Sequence, residues 1–178
     1  MSEADVRLLT DADAAAFSAL RLEGLETCPQ AFGTSAEVWR TLSLEAVKER
    51  IRSHPEGSFT LGAFMQGALC GTAGLRRLDG KERHKAQVWG VYVTESARGR
   101  GVGKALLEAL TKRAKTYPDL EQLSLGVSTE QRAARRLYAS FGFEVWGLER
   151  RALKLPDRYV DEEYRVLWLL EGSSSAEK

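Results

Sequence analysis

The residues with the most chemistry per position lie between 94 and 107, TESARGRGVGKALL. Gly99, Gly101 and Gly103 alternate with Arg98, Arg100 and Val102, and the run passes directly into Lys104 and an apolar-periodic segment. Glycine inside a helix costs about 1 kcal/mol relative to alanine, so three of them at a helix mouth suit a place where something approaches the backbone closely. A strand ending at Val93, a short turn and a helix starting near Gly101 would leave a cluster of unpaired amides, with the positive end of the macrodipole behind them. That is an anion site. Glycine removes the Cβ atoms that would hold a phosphate off, and Arg98 and Arg100 can add charge-assisted hydrogen bonds. Two common phosphate motifs fit poorly. A P-loop wants glycine at 98 and Ser or Thr at 105, and a dinucleotide fingerprint wants its third glycine at 104; the chain has Arg98, Ala105 and Lys104. Taken alone, the glycines serve an ordinary tight turn equally well.

The elements around this segment read as an alternating series. Residues 6–9 form a short strand, and Thr10-Asp11 caps a helix whose apolar face includes Ala16, Phe17 and Leu20. Residues 25–34, LETCPQAFGT, read as a loop, and Leu44, Val47 and Ile51 keep helical spacing across 43–52. Residues 59–65 and 68–75 are two strands joined at Gln66-Gly67, a two-residue hairpin signal, and 86–93 is the next strand. A helix follows the glycines to about Tyr117, with Val102, Leu106, Ala109 and Leu110 along one stripe. Residues 122–127 are a strand, and Ser128 with Gln131 signals a capping box for a helix to Phe141 that Gly142 ends. Strands return from Phe143 and at 163–170, where Tyr164, Val166, Trp168 and Leu170 alternate with their neighbours. Hairpins followed by two β-α-β steps argue a mixed α+β sheet covered by helices.

Bulk properties narrow the function classes. A chain of 178 residues with 43% hydrophobic composition supports one sizeable core, hence one domain. The net charge of +1 offers no general attraction to nucleic acid or to an acidic membrane. Cys28 and Cys70 lack metal-ligand spacing, so no metal is expected, and Cys70 sits in an apolar run suited to a buried free thiol. A reducing cytoplasm fits. No basic and apolar leader opens the chain and no run approaches the length of a membrane span.

A second block gives the glycine segment its context. Arg98-Gly99-Arg100-Gly101-Val102-Gly103 matches the Arg/Gln-x-x-Gly-x-Gly/Ala signature of the GNAT superfamily of N-acetyltransferases, preceded by a hydrophobic strand, WGVYV. Residues 127–143, VSTEQRAARRLYASFGF, resemble that superfamily's helix motif, with Ala134, Leu137, Tyr138, Gly142 and Phe143 at the expected positions. The resemblance covers residues 4–170 as a single domain and leaves 171–178 as a flexible tail. It implies a GNAT-like, mostly antiparallel twisted sheet of about seven strands flanked by about four helices, with a splayed central strand pair.

The resemblance further implies acetyl-CoA as cosubstrate and a primary amine as acceptor, on a small molecule or a protein, acetylated by direct attack in a ternary complex. Val91 and Val93 would pair with the pantetheine arm as if it were another strand, and the Val93 amide would bond the thioester carbonyl. The pyrophosphate would lie on the amides of Arg98 through Lys104, Gly99, Arg100, Gly101, Val102 and Gly103 among them. Tyr138 would donate a proton to the leaving thiolate, the plain alternative being a core tyrosine. Gln131 stands where the motif commonly has Asn, reaching for the cofactor or serving only the capping box.

A catalytic glutamate common on the strand before the glycines is Gln87 here, so a base must come from elsewhere, with Glu26, Glu37 and His84 as candidates. Arg132, Arg135 and Arg136 form a basic helix face that could meet the 3′-phosphate or simply be solvated. Trp89, Trp146 and Trp168 read as packing residues in strands. Phe32, in the loop at 28–34, and Tyr159, in LKLPDRYVDEEY, are the substrate-binding candidates, and Asp161, Glu162 and Glu163 beside Tyr159 could bind a cationic amine or equally set a hairpin or a subunit contact. Strand edges near Trp168 and the acidic run 161–163 offer pairing across a twofold axis, a homodimer. A non-catalytic acyl-CoA sensor and an unrelated phosphate-binding module are the competing readings.

Overall fold

The computed structural model describes residues 4–169. Seven strands form one sheet: β1 (Asp5–Leu8), β2 (Phe59–Met65), β3 (Ala68–Arg77), β4 (Lys85–Val93), β5 (Gln122–Ser128), β6 (Glu144–Lys154) and β7 (Tyr159–Trp168). Their order is β1-β2-β3-β4-β5-β7-β6, antiparallel except for β4 against β5. The helices are α1 (Ala14–Thr27), α2 (Ala36–Arg40), α3 (Leu44–Ile51), α4 (Val102–Ala114) and α5 (Arg132–Ser140). The fold is therefore the mixed, mostly antiparallel α+β sheet expected, with five α-helices among the described residues.

Each face of the sheet has its own core. On one, Leu106, Leu107 and Leu110 of α4 are wholly buried against Phe59, Leu61, Leu75, Ala86, Val88, Leu123 and Leu125. Each such leucine contributes about 1.5–3 kcal/mol of burial. On the other, Phe17 and Leu25 of α1, Trp39 of α2, and Val47 and Ile51 of α3 pack together, with Trp89 against them. Gln66 (φ 51) and Gly67 (φ 79) make the left-handed two-residue turn of the β2–β3 hairpin.

Several expectations are corrected. The first helix runs on to Thr27, with Ala16 exposed and Ala14, Phe17, Leu20, Arg21, Gly24 and Leu25 buried. The stretch 35–42, to which the sequence assigned no element, contains α2, whose N-cap Ser35 accepts from the Val38 amide. The Ser128–Gln131 capping box does not form: the Ser128 hydroxyl accepts from the Glu130 amide at 3.2 Å, and Gln131 is an N-cap without a side-chain bond. Trp146 and Trp168 are exposed, at 65% and 45%, so neither is a core residue. β7 lies between β5 and β6, so the free edge at this end belongs to β6, not to the strand that carries Trp168. Leu170 and the tail lie outside the described residues. Both cysteines are free, and Cys70 is buried, which pushes its thiol pKa up. Among the described residues no helix is long and apolar enough to cross a membrane.

Candidate active site

The site begins where two strands part. β4 pairs with β5 only at Lys85, Ala86 and Gln87, opposite Gln122, Leu123 and Ser124; beyond them the pair separates. The cause is a bulge. Thr72 faces Tyr92 and Gly74 faces Trp89, so β4 carries one residue more than β3 over this stretch. The extra residue falls at Gly90, whose φ of 63° suits glycine, and the Thr72 hydroxyl donates to its carbonyl at 3.0 Å. The bulge also exchanges faces. Val88 and Val91 pack on the α4 side, whereas Trp89 and Tyr92 face α1. The Thr94 amide donates to Cys70 of β3, so strand alternation turns the amides of Val91 and Val93 away from β3 and into the gap.

At the end of β4 lies the glycine turn. Among the described residues, none of the amides from Gly99 to Lys104 makes a backbone hydrogen bond; the first satisfied amide of the helix is that of Ala105, which donates to the Gly101 carbonyl. Gly99 (φ 72) and Gly101 (φ 81) are left-handed, and a Cβ on either would meet nothing within 4 Å, so the cradle is open. Gly103 is small for a different reason: a Cβ there would stand 3.2 Å from the Leu137 side chain, so it lets α4 and α5 approach. Val102 is buried and can offer only its backbone. Lys104 is exposed and paired with Glu108 at 3.6 Å. Two expectations for Arg98 change. Its amide donates to Glu95, and its side chain folds back to the Val93 carbonyl (3.0 Å) and the Cys28 sulfur (3.6 Å), away from the cradle. Arg100 remains exposed beside it.

The gap between β4 and β5 is a channel of about 90 Å³ lined by Val91, Val127, Ser128, Gln131, Ala134 and Tyr138. Tyr138 is 6% exposed, with its ring edge-on to Phe143 at 5.8 Å. Its hydroxyl has no hydrogen-bond partner among the described residues, and burial pushes its pKa well above the usual tyrosine value. α5 is fixed to β7 by Arg135, which pairs with Glu163, itself bonded to Arg165 at 2.7 Å. Arg132 and Arg136 are exposed.

A second cavity, of about 480 Å³, adjoins the channel at Phe32, Gly90 and Gly126. Gln87 and Trp89 line it from β4, with Gln87 accepting from Arg76 at 2.7 Å. Glu162 enters from β7, partly buried; burial, then the nearby Glu149, raises its pKa. Tyr164 beside it donates to Glu149, which raises the phenol to about 12. Arg21 reaches the cavity from α1 and Trp39 from α2.

None of the three bases expected from sequence lines this cavity. Glu26 is paired with Arg40, Glu37 is exposed on α2, and His84 precedes β4 and binds the Glu121 amide through its carbonyl. Tyr159 is also outside, half exposed at the β6–β7 turn with Arg151 and Lys154 over its ring. Phe32 is at the junction of cavity and channel. Sequence reasoning gave no site role to Arg21, Trp39 or Tyr164, the last read only as a strand residue, and read Glu162 as one of an acidic group that binds a cationic amine or equally sets a hairpin or a subunit contact. Their convergence depends on which faces of three separate elements meet, which no local pattern encodes.

Comparison with known proteins gives a consistent picture. Residues 22–143 match the model of the acetyltransferase (GNAT) family. The chain is 36% identical over 91 residues to the N-alpha-acetyltransferase RimI of Mycobacterium tuberculosis, covering 51% of this chain and 55% of that one, so it spans only about half of that relative's length. It is 24% identical over 117 residues to the L-amino acid N-acetyltransferase AaaT of Escherichia coli, covering 66% and 72%. Its fold superposes with a TM-score of 0.81 on yncA, a putative acetyltransferase from Salmonella typhimurium with its cofactor acetyl-CoA, at 22% identity over 99% of this chain and 100% of that one.

Proposed function

The chain belongs to the acetyltransferase (GNAT) family, and on that premise we propose that it transfers the acetyl group of acetyl-CoA to a primary amine by direct attack within a ternary complex. The observation that carries this reading is the continuity of three features. An unsatisfied run of amides from Gly99 to Lys104 lies at the end of the strand whose bulge opens the channel, and the channel leads into a polar cavity.

The residues present suit the cosubstrate. The amides of Gly99 to Lys104 would hold its pyrophosphate, those of Val91 and Val93 its pantetheine arm, and Gln131 flanks the channel. Acetyl-CoA, when bound, supplies an acetyl thioester to the amine.

The chain's own groups do the rest. The Val93 amide is a fixed donor for the charge that develops on the carbonyl oxygen, a role worth about 3 kcal/mol where single donors have been removed from other enzymes. Tyr138 presents a protonated hydroxyl on the channel wall to the departing sulfur; burial raises its pKa and so makes it the weaker acid, which leaves it to stabilise the developing thiolate first by a hydrogen bond and to give up the proton only as the C–S bond breaks. Glu162 accepts the proton of the acceptor ammonium in the adjoining cavity, and its raised pKa makes it the stronger base. Gln87, held by Arg76, cannot titrate and serves as a hydrogen-bonding group.

The reading is tested by following thiol release from acetyl-CoA across a panel of amines, with CoA affinity measured in parallel by calorimetry. Amine-dependent release is expected. CoA binding without release from any amine would instead favour a non-catalytic acyl-CoA-binding module, the reading that Gln87 supports and the ionisable Glu162 opposes.

A further inference from the structure

We infer that the amine acceptor carries a carboxylate and that Arg21 receives it. The inference rests on the acetyl-transfer reading for the word acceptor, and on geometry for everything else.

Arg21 lies in the middle of α1 and is 8% exposed. Its Nε and Nη1 are buried with no hydrogen-bond partner, and no carboxylate among the described residues forms an ion pair with it. Buried charges are ordinarily paired, because an unpaired one carries a desolvation penalty of several kcal/mol. The other buried arginines follow that rule: Arg165 pairs with Glu163, and Arg77 pairs with Asp119 and bonds three backbone carbonyls. Burial, and Arg50 nearby, lower the Arg21 pKa to about 10, which leaves it a cation at neutral pH. Arg21 is thus a desolvated positive charge without a counter-ion among the described residues.

Its position indicates what the missing partner is. The guanidinium lies over the Phe32 ring at 4.2 Å and 5.9 Å from that of Trp39, so its walls are aromatic and supply no anion. Nη1 is 3.9 Å from the point a Cβ on Gly90 would occupy, which places it at the bulge where cavity and channel meet. The charged groups lining the cavity are Arg21, Arg50, Arg76 and Glu162. Arg76 is engaged by Gln87, and Arg50 is exposed with its guanidinium 5.8 Å from the Trp39 ring. A polyamine would bring further positive charge to this excess of cations, whereas a small amine bearing a carboxylate would neutralise it.

The two ends of such a molecule find separate partners. Glu162 takes the ammonium, and the planar fork of Arg21 takes the carboxylate through paired charge-assisted hydrogen bonds. The acceptor class is therefore a free amino acid or a closely similar amino carboxylate. A peptide N-terminus, whose nearest carboxyl is an amide, leaves Arg21 unpaired.

The test uses matched acceptors that differ only at the carboxyl: several free amino acids against their carboxamides, with wild-type enzyme and the Arg21→Met and Arg21→Lys variants. For the wild type, kcat/KM should favour the acid by about 100-fold or more, the size of discrimination expected when a buried polar group is left unpaired. In Arg21→Met the acid-to-amide ratio should fall to within about threefold of one, mostly through KM, and Arg21→Lys should retain an intermediate ratio. Amides that react as well as acids in the wild type would overturn the inference whether or not either variant folds. If CoA binds but no amine is acetylated, the acetyl-transfer reading fails by itself, and melting temperatures then decide about Arg21. A rise with the amino acid and none with its amide would uphold carboxylate binding; equal shifts, or none, would overturn it.

Discussion

The carboxylate of Glu162 lies over Gly126, its Oε2 3.6 Å from the point that a Cβ on that glycine would take. β5 thus leaves a gap in its side chains where β7 sends a carboxylate across, at the junction of channel and cavity. Glu162→Gln should lower kcat by about 10² or more, the range typical of a general base. The wild-type rate should rise with pH through a pKa above the ordinary 4.5 of a glutamate, because burial and Glu149 favour the protonated form. The sign for stability is opposite. A raised folded-state pKa means that ionising Glu162 weakens the fold as pH rises, so Glu162→Gln should melt higher than wild type at neutral pH. Rate profiles and melting curves on the same preparations check both halves.

Tyr138→Phe should lower kcat at least about tenfold with little change in CoA affinity. Its hydroxyl has no hydrogen-bond partner among the described residues, so removing it should leave the melting temperature nearly unchanged. Since burial raises the phenol's pKa, Tyr138 stays protonated through the working range, and the alkaline limb of the profile should be the same in both enzymes. A mutant that turns over at the wild-type rate in single-turnover experiments would make Tyr138 a packing residue.

The two glycines of the cradle should separate binding from folding. Gly101→Ala places a Cβ in open space beside the free amides and strains a backbone at φ 81° by about 1–2 kcal/mol. CoA affinity should fall by more than about tenfold, equivalent to about 1.4 kcal/mol. Gly103→Val should in addition destabilise the fold, because its side chain meets Leu137. Calorimetric titration with parallel thermal melts distinguishes the two.

Glu163 should be the acid-labile point of the site. It bonds Arg135 of α5 and Arg165 of its own strand, and these bonds, Arg135's first, lower its pKa. The stabilisation is present above the unfolded carboxylate value and is lost as pH falls through the lower folded value. Glu163→Gln leaves two arginines without their carboxylate and should cost about 3 kcal/mol at neutral pH. Urea titrations at neutral and acid pH should show the mutant's deficit shrinking as the wild type is acidified.

The sheet was legible because its signals are local. Gln66-Gly67 between apolar runs specified a hairpin, and the helical spacing of Leu44, Val47 and Ile51 specified α3. The glycine turn was legible for the same reason. α2 was missed because five residues hold too little of a helical period, and with it went Trp39, which covers Arg21. Arg21 itself is one charged residue on a helix whose hydrophobic pattern reads the same whether that residue is solvated or enclosed. Glu162 stood among three consecutive acidic residues, and only the register of β7 against β5 and β6 decides that it faces the cavity while Glu163 faces α5.

The bulge at Gly90 gives β4 two parities. Upstream, side chains at Gln87 and Trp89 look into the acceptor cavity; downstream, the strand presents main-chain amides at Val91 and Val93 to the channel. If the proposed function holds, a single strand would read the acceptor through replaceable side chains and the acetyl donor through main-chain amides that no substitution short of proline removes. Acceptor preference would then drift by point mutation before residue 90 while the grip on the acetyl donor stayed constant. Deleting the one residue at the bulge would be far more damaging than exchanging any of its neighbours, because it would put every later position of the strand on the wrong face.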